Sequence, residues 1–132
     1  MSLPAFEKTI GHRFKNERLL KEALTHRSYL NEVPDWGVPH NERLEFLGDA
    51  VLELIVTEAL YERFPDYPEG QLTPIRAALV NYVMLAAVGR AIELEAAILL
   101  SRGEAKDAGR ARETILANAL EAVIGAIYLD GG

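Results

Sequence analysis

Residues 41–64 read NERLEFLGDAVLELIVTEALYERF, and the fold turns on them. Leu44, Phe46, Leu47, Val51, Leu52, Leu54, Ile55 and Leu60 recur at spacings that place apolar groups on nearly every side of a helix. Such a helix is either central in its own domain or shared between subunits. Glu42, Glu45 and Asp49 interrupt the pattern at i, i+3 and i+7, which brings the three carboxylates onto one stripe.

Outward from this run the periodicity stays helical, and no alternating stretch lasts long enough to read as a half-buried strand. The spacing predicts an all-α domain. A first helix spans Leu3 to Ile10 and stops at Gly11; a second starts after Asn16 as N-cap, with Leu19, Leu20, Ala23 and Leu24 inward. Asn31 to Pro39 carries two prolines, a glycine and the lone tryptophan, which is turn chemistry. Pro65 and Pro68 end the central helix, and another opens near Gly70, where Pro74 is tolerable only within the first turn. Asn81 marks a break before a segment reaching Ile92. Ser101 to Glu113 reads as irregular, and Thr114 to Asp130 as the last helix.

With 132 residues, 49% apolar and 26% charged, the chain fits one compact domain over residues 1–132. The absence of cysteine excludes disulfides and thiolate metal sites and makes a reducing, cytoplasmic setting the expectation. Charges scattered through the first twenty residues leave no apolar run there for a signal or a membrane span. The net charge of −6 is the wrong sign for a protein that grips phosphates by charge alone, so any nucleic-acid role needs something to offset it. The clustered cations are Arg102, Lys106, Arg110 and Arg112, an expected clamp for a polyanion.

The last helix adds Asn118 and Glu121, again i and i+3, among small alanines that permit close packing. If it lies beside the central helix, Glu45, Asp49, Asn118 and Glu121 converge as an all-oxygen set. Oxygen ligands without sulfur suit Mg²⁺, with Mn²⁺ as substitute; without a cation, several carboxyls must have raised pKa values instead. An open magnesium site suits phosphodiester hydrolysis. His40, beside the acidic helix, and His26, expected where a helix ends, read as polar neighbours rather than bases.

The run from His40 to Leu52 (HNERLEFLGDAVL) resembles the signature of the ribonuclease III family, endonucleases of double-stranded RNA. Ala23 to Tyr29, Glu69-Gly70, Arg76-Ala77, Gly103-Glu104, Ile115 to Ala117 and Glu121 to Ala126 are similar to that family in the family's order. The resemblance implies a helical endonuclease domain that forms a homodimer and cuts both strands of an RNA duplex, leaving 5′-phosphates and 3′-hydroxyls. It implies Glu45, Asp49 and Glu121 as metal-binding and catalytic carboxylates, Asp49 and Glu121 foremost. It also implies Glu42 and Glu69 as auxiliary acids, and Phe46 as a dimer-interface side chain seated in the partner subunit.

Two departures stand beside it. Position 118 is Asn where the family places an acid, so the quartet has three carboxylates, and weaker metal binding or slower turnover is expected. Relatives continue into a double-stranded-RNA-binding domain that this chain does not contain, so it is expected to be a fragment or to dock RNA with the nuclease body alone. A non-cleaving dimeric module that holds duplex RNA is the alternative function, and a purely structural helical dimer a third.

Overall fold

The computed structural model describes residues 1–107 and 109–131, and they are helical throughout, with no strand among the described residues. The elements are α1 (Leu3–Ile10), α2 (Glu17–Ala23), α3 (Arg27–Glu32), α4 (Glu42–Arg63), α5 (Glu69–Leu79), α6 (Tyr82–Ala91), α7 (Leu94–Ala97), α8 (Arg102–Lys106) and α9 (Arg110–Gly131). Local chemistry sets the early boundaries as the sequence predicts. Ser2 Oγ accepts from Ala5 N–H, Gly11 turns α1 off in the left-handed region at φ 74°, and Asn16 caps α2 by accepting from Arg18 N–H.

The two 22-residue helices α4 and α9 form the spine. Of the two, α9 is the central one. Leu116, Ala117, Ala119, Leu120, Ala122, Val123 and Ala126 bury its circumference against α2, α4, α6 and α7. By contrast, α4 buries only Leu44, Gly48 and Leu60 and leaves Phe46 82% exposed, with Leu54, Ile55 and Tyr61 also open. Its all-round apolar pattern therefore does not make it central in this chain. By length and composition α9 is also apolar enough to cross a bilayer, but half of its most apolar window is buried among the other helices, as a core helix requires.

Three local expectations are corrected. Of the stretch 101–113, in which residue 108 lies outside the described residues, 102–106 and 110–113 are helical: Ser101 Oγ caps α8 by accepting from Glu104 N–H, and α9 begins at Arg110 rather than Thr114. The tie is Arg112, whose Nη2 donates to the carbonyls of Glu104 and Ala105, both at 3.0 Å, and so closes the C-terminal end of α8. Pro74 lies inside α5, beyond its first turn, where its missing N–H leaves the Gly70 carbonyl without the usual helical donor. His26 begins a helix rather than ending one, because it is the N-cap of α3.

Around α3 the chain is stitched to the segment after α7. Leu99 N–H donates to Leu24 O at 2.8 Å and His26 N–H to Leu99 O at 3.1 Å, a single parallel bridge. The 33–41 turn is pinned by Trp36, whose indole N–H donates to Thr25 Oγ1 while Lys21 Nζ lies 4.0 Å from the ring centre.

Candidate metal centre

The contact that builds the site is a backbone crossing between α4 and α9. A Cβ on Gly48 would stand 2.5 Å from the carbonyl carbon of Glu121, and one on Gly125 would stand 2.5 Å from the Leu44 carbonyl oxygen. Only glycine at both positions lets the helices touch main chain to main chain. The residue after Gly48 is Asp49, and Glu121 sits one turn before Gly125, so the crossing delivers both carboxylates to one place.

There Glu45, Asp49 and Glu121, with Glu42 and Glu53, line an open cavity of about 510 Å³ together with Phe46, Val80, Asn81, Tyr82 and Leu85. Glu121 is only 6% exposed, an uncommon position for an acid. Burial, reinforced by a side-chain hydrogen bond with Asp49 and by the charges of Asp49, Glu45 and Glu53, pushes its pKa up to about 8. Burial, then Glu42 and Asp49, also raises Glu45. The stripe on α4 and the acid on α9 therefore converge as the spacing predicts.

Asn118 is brought close but faces an adjoining cavity, which shares Glu42 and Glu45 with the first. Its carboxamide oxygen is shielded from solvent and meets no donor. Glu69, the first residue of α5, is exposed and lies on neither cavity. His40 Nδ1 accepts from Glu42 N–H at 3.3 Å and so caps α4. Asn41, at the N-cap position, turns its side chain to the Ala23 carbonyl instead.

Glu53 escaped the sequence reading. It continues the stripe one turn beyond Asp49, a spacing that was available to find it, and pairs with Arg76 of α5 at 3.4 Å. Among the basic residues, Arg102, Lys106 and Arg110 are exposed, Arg102 within 3.8 Å of Glu32. The Arg112 side chain is 13% exposed and held by Glu95 and the α8 carbonyls, so it belongs to the scaffold rather than to a phosphate clamp.

Among the described residues no three His, Asp or Glu side chains are grouped closely enough to hold a metal ion as they stand. The fit to a cation rests instead on the buried Asn118 oxygen without a donor and on an all-oxygen acid cluster whose buried member is held protonated by its neighbours. Both features are relieved by a hard divalent ion, which favours oxygen ligands and keeps part of its water shell.

A helical domain that gathers acids from two helices at a glycine-mediated crossing, beside an exposed apolar helix face, defines a class of acid-cluster proteins to which comparison supplies the family. The chain belongs to the ribonuclease III-like family, whose model matches residues 16–132. It is 52% identical over 130 residues to a ribonuclease 3 of Oleidesulfovibrio alaskensis, covering 96% of this chain and 56% of that protein. A ribonuclease 3 of Streptomyces coelicolor is 56% identical over 126 residues, covering 96% and 45%. The chain thus spans about half the length of the curated relatives it matches. The solved nuclease domain of ribonuclease III from Campylobacter jejuni superposes with a TM-score of 0.89 at 42% identity, covering 99% of this chain and 87% of that one.

Proposed function

We propose that this domain hydrolyses phosphodiester bonds in double-stranded RNA, acts as a homodimer in the cytoplasm, and uses Mg²⁺ held by Glu45, Asp49 and Glu121. The observation that carries the reading is the convergence of these three carboxylates at the Gly48–Gly125 crossing. When bound, a divalent cation supplies a polarised water and stabilises the charge that builds on the phosphate. With a cation bound in place of the proton that burial and the neighbouring carboxylates hold on Glu121, Asp49 and Glu121 would serve as its ionised ligands. Glu42 and Glu53 add negative charge at the edge of the same cavity. An acidic domain then engages RNA because the cation inverts the local charge and because an A-form duplex is read by shape, phosphates and 2′-hydroxyls.

The dimer is supported by α4. Exposed Leu54 and Ile55 line an apolar groove with Leu47, Val51, Ile124, Ile127 and Tyr128, and exposed Phe46 lies on the same helix, a surface of the kind that marks an interface. The similar Campylobacter jejuni nuclease domain is described as having a region involved in dimer formation.

Asn118 favours a second reading, a module that binds duplex RNA without cutting it, because an amide there adds no charge to the cation site. Incubation of a 5′-labelled RNA duplex with Mg²⁺ separates the two. Internal cuts with 5′-phosphate and 3′-hydroxyl ends support the nuclease; binding with no cut in Mg²⁺ or Mn²⁺ supports the module.

A further inference from the structure

The carboxylate cavity is also lined by the corner between α5 and α6, through Val80, Asn81, Tyr82 and Leu85, and the proposed hydrolysis gives that corner no role. Asn81 fixes it. The Asn81 Nδ2 donates to the carbonyls of Ala77 and Ala78 at 3.1 and 3.0 Å, and its Oδ1 accepts from Met84 N–H at 3.0 Å. Tyr82 is thereby held as the first residue of α6. Leu85, three residues on and on the same helix face, is buried and anchors that face in the core. Tyr82 is instead 56% exposed, and its hydroxyl enters no hydrogen bond among the described residues.

The chemistry of the lining singles that hydroxyl out. Five of the residues on the cavity are acids, and no Lys, Arg or His side chain lines it. Ionised carboxylates only accept hydrogen bonds, and they repel a phosphate at close range. The proton held on Glu121 is engaged with Asp49. Both ends of the Asn81 amide are committed to the main chain. Among the described residues the Tyr82 phenol is therefore the one side-chain donor on the cavity free to meet a ligand, and it carries no charge that the acids would capture. A cation offsets the acids at the reacting phosphate, but an RNA strand brings the neighbouring phosphates past the same surface.

We infer that Tyr82 is a substrate-positioning residue whose O–H donates to a non-bridging oxygen of a phosphate next to the bond to be cut. The assignment rests on the proposed RNA reading and adds to it a contact that the acid cluster cannot make. That phosphate does not react, so the contact is as strong before the chemical step as during it. Its loss raises KM and leaves kcat in place.

The test is Tyr82→Phe, which removes one oxygen without a partner in the chain and is expected to keep the parent's melting temperature and sedimentation. On a labelled RNA duplex in Mg²⁺ it is expected to raise KM roughly three- to tenfold at unchanged kcat, the effect of one partly exposed hydrogen bond. Fluorescence anisotropy at low salt, with Ca²⁺ in place of Mg²⁺, is expected to show the same loss of affinity. A second measurement names the ligand: methylphosphonate replaces one phosphate of the duplex at a time. The penalty of Tyr82→Phe is expected to shrink at one position, beside the cut, and to persist at the others. The assignment is overturned if Tyr82→Phe keeps the parent's KM and affinity, or if its penalty is the same throughout the methylphosphonate set. It is also overturned if Tyr82→Phe sediments as a monomer where the parent is a dimer, which would give the hydroxyl to the partner subunit. A parent that neither binds nor cuts duplex RNA overturns the proposed function itself, and the assignment with it.

Discussion

Replacing Glu121 by glutamine is expected to make the metal-free protein more stable at pH 7.5, even though it removes a central carboxylate. In the folded chain Glu121 has its pKa raised from 4.5 to about 8. Between those values the folded state keeps a proton that the unfolded state releases, so the favourable contribution is complete below about 4.5 and is lost as pH rises toward 8. At pH 7.5 the gap is about three units, which at ~1.4 kcal/mol per unit sets a ceiling of about 4 kcal/mol. The cavity is open to water on the Asp49 side, so about half of that is the lower expectation. The glutamine side chain mimics the protonated acid, since its amide still donates to Asp49, and it has no charge to bury.

The assay is thermal unfolding in EDTA from pH 5 to 8.5. At roughly 3–4 °C per kcal/mol for a chain of this size, Glu121→Gln is expected to melt roughly 6–16 °C above the parent at pH 7.5 and to converge with it near pH 5. Adding Mg²⁺ reverses the order of benefit. The parent gains RT ln(1 + [Mg²⁺]/Kd), about 2.7 kcal/mol at one hundred times Kd, while the variant gains far less. A parent whose melting temperature stays flat from pH 5 to 8 in EDTA, or a variant less stable at pH 7.5, refutes the picture of a charge-frustrated site.

Asn118→Asp adds a fourth core carboxylate and is expected to increase both Mg²⁺-induced thermal stabilisation and cleavage of duplex RNA; equal values for the two proteins would show that position 118 does not tune the cation. Gly48→Ala places a methyl group against the Glu121 main chain and is expected to destabilise by about 3 kcal/mol or more, read by urea unfolding, because backbone cannot yield as a side chain does. Phe46→Asp is expected to leave a folded monomer, since the ring is exposed in the single chain, and sedimentation that still gives a dimer would move the interface elsewhere. Substituting Arg102, Lys106 or Arg110 by Ala is expected to lower the salt slope of RNA binding by roughly one each. Arg112→Ala should instead lower stability by about 1–3 kcal/mol, the effect of leaving hydrogen bonds to a guanidinium unmade.

Element positions were legible where a side chain close in sequence dictates them. Ser2, Gly11, Asn16 and Asn81 each end or begin a helix through a bond made within a few residues. What escaped was set at longer range. Residues 101–113 look irregular because two glycines and few apolar groups give no periodic signal, yet Arg112 folds back on α8 and makes it a short helix. The α2–α3 corner is likewise held by the Leu99 bridge and by Ser101, about 70 residues away, which no local pattern announces.

The site was more legible than the scaffold, and the reason is electrostatic. Carboxylates at neighbouring helical positions repel, so a run that keeps Glu42, Glu45 and Asp49 on one stripe needs a compensating charge, and that need is visible in the sequence alone. What the spacing could not reveal is how close α9 comes, since the small alanines around Asn118 and Glu121 suggest intimacy without locating it. The location comes from Gly48 meeting Gly125, one residue before Asp49 and one turn after Glu121. Had either been alanine, the helices would stand apart, Glu121 would reach solvent, and its pKa would fall back toward the ordinary carboxylate range. The glycines therefore create the buried, proton-holding acid, and under the proposed function a divalent cation would displace that proton, so that packing and cation affinity would be two consequences of one crossing.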